Sequence, residues 1–128
     1  DRDEAIMYFV PRYAGFATDI GGYAQAKMVG VPLEFDHRDG NVITCRFPSD
    51  ETLDDYFVTG CCQKDHGVKS IKALLVASPD NPTGTVWREE ELLRLHAWCR
   101  RKKILLLSDE IYAAGIFPAG AATPAESA

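Results

Sequence analysis

Three short, strongly apolar runs, separated by stretches with helical spacing, constrain this chain more than any other feature. Ile6–Val10 ends at Pro11, Ile71–Ala77 halts at Ser78-Pro79-Asp80-Asn81-Pro82-Thr83-Gly84, and Ile104–Leu107 stops at Ser108-Asp109-Glu110. Such runs are far below the roughly 20 apolar residues that span a bilayer, and their length and flanking turn residues suit buried strands. Between the second and third, Arg88–Lys103 reads as a helix with Glu89, Glu90 and Glu91 in its first turn and Arg100 to Lys103 in its last, complementing the helix dipole at both ends. Strand, helix of 10–15 residues, strand is the signature of βαβ units, hence an α/β fold with a mostly parallel sheet and right-handed crossovers.

The rest of the chain continues the alternation. Gly15–Met28 is predicted helical from the spacing of Phe16, Ile20, Tyr23 and Lys27, Val31–Phe35 is a weaker strand, Asp36–Asn41 a polar stretch, and Val42–Cys45 a short strand. Asp50–Gln63 is a second helix with its start signal at Ser49 or Asp50. Gly21-Gly22 reads as close helix packing, because it follows no strand. From Phe117 onward the sequence is rich in Ala, Pro and Gly, so residues 1–117 are expected to be the folded part and 118–128 a tail.

Charge and cysteine content narrow the partners. The 128 residues carry a formal net charge of -5 with no dense Lys/Arg face, which argues against nucleic acid or an anionic membrane. The start, Asp1-Arg2-Asp3-Glu4, lacks the basic and apolar regions of a signal peptide. Cys45, Cys61, Cys62 and Cys99 have no C-x-x-C spacing, so a reducing, cytoplasmic setting is expected and no metal site is assigned, Cys61-Cys62 with His66 matching no standard ligand pattern. The run Arg100-Arg101-Lys102-Lys103 reads as a solvated helix end.

In open α/β sheets, ligands bind outside the carboxyl ends of the strands. That rule selects Tyr13 after the first run, Asn81 after the second, and Asp109 with Tyr112 after the third. A ring, an amide, a carboxylate and a phenol on one edge suit a planar, partly cationic aromatic ligand. Leu105-Leu106-Leu107-Ser108-Asp109-Glu110 also has the form of the magnesium-binding strand of a P-loop ATPase, yet G-x-x-x-x-G-K-[ST] occurs nowhere in the chain.

Asn81-Pro82-Thr83-Gly84, followed after one helix and one strand by Ser108-Asp109-Glu110-Ile111-Tyr112, resembles the pyridoxal-phosphate-dependent aminotransferases of class I/II. Pro11-Arg12-Tyr13-Ala14-Gly15-Phe16 with Asp19, and Ser108 through Phe117, resemble the 1-aminocyclopropane-1-carboxylate (ACC) synthase branch. Ala17-Thr18 departs from that branch's polar, arginine-containing pair, and Thr83 is the commoner aminotransferase choice where the branch often has Leu. The resemblance implies a three-layer α/β/α arrangement, a partial large domain of fold type I, with pyridoxal 5'-phosphate as cofactor. It implies that Asp109 pairs with the protonated pyridine nitrogen, that Asn81 and Tyr112 hydrogen-bond the phenolic oxygen, and that Tyr13 stacks on the ring.

It further implies an amino-acid substrate and, at full length, a homodimer. The family's cofactor-anchoring lysine lies downstream of the Tyr112 position, and none of the 16 residues after Tyr112 is Lys. No catalytic residue is therefore assigned within the chain, and this stretch alone is expected to be inactive. Three functions stay open: part of an aminotransferase, part of an ACC-synthase-like lyase acting on S-adenosylmethionine, and a non-catalytic α/β binding module derived from the same family.

Overall fold

The computed structural model describes residues 3–38, 42–62 and 67–116. Its strands are β1 (Glu4–Val10), β2 (Lys27–Pro32), β3 (Glu34–Arg38), β4 (Val42–Arg46), β5 (Ser70–Ala77) and β6 (Leu105–Asp109). Its α-helices are α1 (Asp50–Cys62) and α2 (Glu89–Lys102). Four strands form one sheet in the order β2-β1-β5-β6, every neighbouring pair parallel, and β3 and β4 form a separate antiparallel hairpin. The α/β class with a mostly parallel sheet is as the sequence implied.

The face of each strand residue follows from register. Ala5, Met7 and Phe9 of β1 are buried in the core with Leu74 and Val76 of β5, whereas Ile6, Tyr8 and Val10 face the other way and are half-buried. Where Ala5 and Ile6 meet β5, their partners are Ile71 and Ala73, so Lys72 is passed over as a bulge residue. Beyond it, Val76 pairs with Ser108 and Ala77 with Asp109, which sets Ala77 and Asp109 on the Tyr8 face.

Both α-helices cover the Met7 face. Ser49 starts α1 by accepting the Thr52 N–H at 3.2 Å. Glu91 fixes the start of α2 by accepting the Arg88 N–H at 3.1 Å. Trp98, fully buried on α2, donates its indole N–H to Asp54 of α1 at 2.7 Å, with Leu53, Leu95 and Cys99 packed around it. The Lys102 ammonium, 2.8 Å from Asp54, and that indole N–H hold the Asp54 carboxyl below the usual range. Burial pushes the Cys99 thiol up to about 11.

The basic end of α2 is not simply solvated, as its composition implied. Arg101 pairs with Asp50, Lys102 with Asp54, and Arg94 bonds both Asp50 and the Pro48 carbonyl, so these cations tie α2 to α1.

The first crossover differs from the sequence expectation. Instead of a helix over Gly15–Met28, a seven-residue π-helical turn spans Ala17–Tyr23, and Gln25, with φ of 52°, redirects the chain into β2. A Cβ on Gly21 would lie 4.0 Å from Met28 Sδ, an ordinary contact, so Gly21-Gly22 is not a close-packing pair. That contact sets the turn on the Met28 face of β2, while Gly60 of α1 packs against Val29 and Ile71 on the opposite face. Crossovers of one hand require this, since the step from β1 to β2 runs opposite to the others across the sheet. Of the three layers expected, the described residues supply the sheet, one full helical layer, and only this short turn on the second face.

Val31–Phe35 likewise divides: Pro32 ends β2, and β3 begins at Glu34 and takes in part of the expected polar stretch. Residues 118–128, Cys61-Cys62 as side chains, and His66 lie outside the described residues. Among those described, no helix is long and apolar enough to cross a membrane, and no cluster of His, Cys, Asp and Glu could hold a metal ion.

Candidate cofactor site

The four residues chosen by the strand-end rule line one cavity. Tyr13, Asn81, Asp109 and Tyr112, with Phe16, Asp19, Ala77 and Ile111, enclose about 300 Å³ at the carboxyl edge of the sheet. A larger cleft of about 430 Å³ opens at the opposite edge between β2 and α1, but Lys27, Tyr56 and Thr59 are its polar side chains and it holds no carboxylate. Volume alone does not choose between them; the convergence of polar groups does.

Asp109 is the last residue of β6, beside Ala77, and the lateral bond from the Ser78 N–H to the Asp109 carbonyl (2.9 Å) closes the ladder there. Its Oδ1 accepts the Ile111 N–H at 3.2 Å, an Asx turn that bends the chain toward Tyr112. Tyr112 stands at the start of a 3-10 turn, Ala113–Gly115, and is half-exposed.

Asn81 is held by its neighbours. Asp80, buried, takes both the Thr83 hydroxyl (2.5 Å) and the Thr83 N–H (3.3 Å) on Oδ2, while its carbonyl accepts the Gly84 N–H and its N–H donates to the Thr85 carbonyl, each at 2.8 Å. Gly84 takes a φ of +70°, the left-handed turn conformation that favours glycine. Trp87 then locks the loop to the strand by donating its indole N–H to the Ala77 carbonyl at 2.8 Å, and stacks on Phe47 with ring centroids 3.8 Å apart. Burial and the adjacent Asp80 carboxylate push the Cys45 thiol up, against the hydroxyls of Thr85 and Thr83.

Tyr13 belongs to the loop after β1. The Arg12 guanidinium lies 4.9 Å from the Tyr8 ring centroid and donates to the Tyr13 carbonyl (3.1 Å) and the Ala14 carbonyl (3.4 Å). Phe16 meets Tyr13 edge to face at 5.6 Å. The wall so built is aromatic (Tyr13, Phe16, Tyr112) and its charged groups are the carboxylates of Asp19 and Asp109, with no cation among the lining residues. Such a set favours a flat, positively charged ring.

Sequence reasoning missed three contributors. Asp19 entered only as part of a motif, and Ala77 and Asp80 were read as strand and turn. Asp80 three residues before Thr83 has the side-chain-to-backbone spacing of a capping acid, which could have marked it as a turn residue.

The model of the family described as aminotransferase class I and II matches residues 2–127, and the chain belongs to that family. An ACC synthase of Vigna radiata var. radiata is 31% identical over 117 residues, 91% of this chain and 29% of that protein. The valine–pyruvate aminotransferase of Mycobacterium tuberculosis (strain ATCC 25618 / H37Rv) is 48% identical over 42 residues, 33% of this chain and 11% of that protein. Among solved structures, a pyridoxal-phosphate-bound C-S lyase from Staphylococcus hominis superposes with a TM-score of 0.68 at 27% identity, covering 87% of this chain and 24% of that one. The chain thus spans less than a third of the length of the relatives it matches.

Proposed function

We propose that residues 1–117 are the middle of the cofactor-binding large domain of an amino-acid aminotransferase that uses pyridoxal 5'-phosphate. The observation that carries this reading is the meeting of Tyr13, Asn81, Asp109 and Tyr112 around one ring-sized cavity. The donor set fits the group: a carboxylate whose Oδ2 has no hydrogen-bond partner among the described residues, an aromatic wall, and an amide and a phenol beside it. Asp109 would hold a proton at the pyridine nitrogen, Asn81 and Tyr112 would orient the ring through its phenolic oxygen, and Tyr13 would cover its face and exclude water. Bound there, the cofactor supplies an electron sink for the pair left when a bond to the substrate's α-carbon breaks. An amino acid as substrate, a homodimer at full length and a cytoplasmic setting complete the proposal.

Asp109→Asn, made in the protein at its full encoded length, tests it. The amide removes the charge that favours a protonated ring nitrogen, and a low-dielectric site magnifies such a loss. Turnover is expected to fall by several orders of magnitude with the melting temperature unchanged. Activity within about threefold of wild type, roughly 0.65 kcal/mol in the barrier, would remove Asp109 from this role.

A second reading, an ACC-synthase-like lyase acting on S-adenosylmethionine, draws support from the match to the Vigna enzyme over 91% of this chain. Supplying a 2-oxo acid separates the two: an aminotransferase needs that acceptor for repeated turnover and a lyase does not. The third possibility, a non-catalytic module derived from the same family, fits the family match over residues 2–127 equally, and a cofactor-anchoring lysine in the full encoded sequence would overturn it.

A further inference from the structure

We propose that Gly15 is a positioning residue: the absence of a side chain there lets the Tyr13 ring lie against the cavity. The inference rests on the reading of Tyr13 as the residue that covers the cofactor ring, and deepens it. A Cβ built on Gly15 would fall 2.2 Å from Tyr13 Cε1, 2.6 Å from Cζ and 2.8 Å from Oη, where carbon atoms in contact sit roughly 3.5–4.0 Å apart. Backbone conformation does not explain the glycine. Among the described residues, positive φ is taken by Gln25, Gly67, Gly84 and Lys103, and not by Gly15. Space alone does, and the space belongs to one ring.

What yields to an added methyl is decided by what holds each side. The backbone is fixed from both directions: Arg12 bonds the carbonyls of Tyr13 and Ala14, and the Gly15 carbonyl accepts the N–H groups of Thr18 (2.9 Å) and Asp19 (3.0 Å). The Tyr13 ring is half-exposed, and its hydroxyl makes no hydrogen bond among the described residues. A rotation about its side-chain torsions relieves the overlap at small cost. Gly15→Ala therefore displaces the ring and leaves the fold intact.

The test uses the protein at its full encoded length, freed of cofactor and titrated with pyridoxal 5'-phosphate, as Gly15→Ala, Tyr13→Ala and the double variant, with a crystal structure of Gly15→Ala. Each single variant is expected to weaken cofactor affinity by about tenfold, the scale of one aromatic contact. The double variant is expected to equal Tyr13→Ala, and the crystal structure to place the ring away from the cavity. Additive losses in the double variant, or an unmoved ring, overturn the proposal. A displaced ring together with wild-type affinity in Tyr13→Ala keeps the positioning role and overturns the cofactor reading of Tyr13 instead. Should Gly15→Ala fail to fold, recovery of folding in the double variant supports the proposal and continued failure overturns it.

Discussion

Among the described residues, the two faces of the central sheet differ in what covers them. On the Met7 face, α1 and α2 bury Trp98, Leu53, Leu95 and Leu74 completely, and side chains from strand and helix interlock. On the Tyr8 face the described residues supply only the π-helical turn near β2, and at the β6 end Leu105 and Leu107 are 66% and 37% exposed. Yet it is the sparsely covered face toward which Asp109 and Ala77 turn. Among the described residues, the Met7 face holds the larger part of the buried core, and the Tyr8 face carries the cavity at its carboxyl end.

The largest effect expected from this contrast is on the covered face. Trp98→Ala removes a fully buried ring and the indole N–H that Asp54 accepts, and should cost about 3–5 kcal/mol in denaturant unfolding. A loss below about 1 kcal/mol would mean that this face is not the main source of stability.

An intermediate effect is expected at the edge that joins the faces. Asp80→Ala strips Thr83 of the acceptor for its hydroxyl and its N–H, and should cost about 1–3 kcal/mol while weakening cofactor binding through Asn81. Stability lost without any change in cofactor affinity would separate the turn from the site. The smallest effect belongs to the Tyr8 face, where, in the 128-residue chain itself, Leu105→Lys should change stability by no more than about 0.5 kcal/mol. It should also reduce self-association, read by sedimentation, and a loss comparable to Trp98→Ala would abolish the distinction between the faces.

How far these assignments were legible varies along the chain. Ile71–Ala77 and the acid-to-base gradient of Glu89–Lys102 announced β5 and α2, because each carries a strong local signal that tertiary packing reinforces. The first crossover misled because Phe16, Ile20, Tyr23 and Lys27 keep helical spacing across a boundary that Gln25 imposes with its left-handed φ. The site was legible in outline, since the strand-end rule needs only the ends of strong runs. Gly15 was not, because a missing side chain acquires meaning only from the ring that folds against it, and the spacing of Asp80 to Thr83 marks a turn without showing that the carboxylate is buried.

The bulge at Lys72 has a further consequence, for chain length. Side chains alternate across a strand, so an extra residue ordinarily turns everything beyond it over. Here the pairing resumes at Ala73 opposite Ile6 as though Lys72 were not counted, and its exposed side chain reaches Glu4 at 3.3 Å. Deleting Lys72 would restore one-to-one pairing and leave Leu74, Val76, Ala77 and, across the ladder, Asp109 facing as they do now. The bulge thus absorbs one residue at the start of β5, and the facing of the carboxyl edge is set by the residues that follow Lys72 rather than by the count that precedes them.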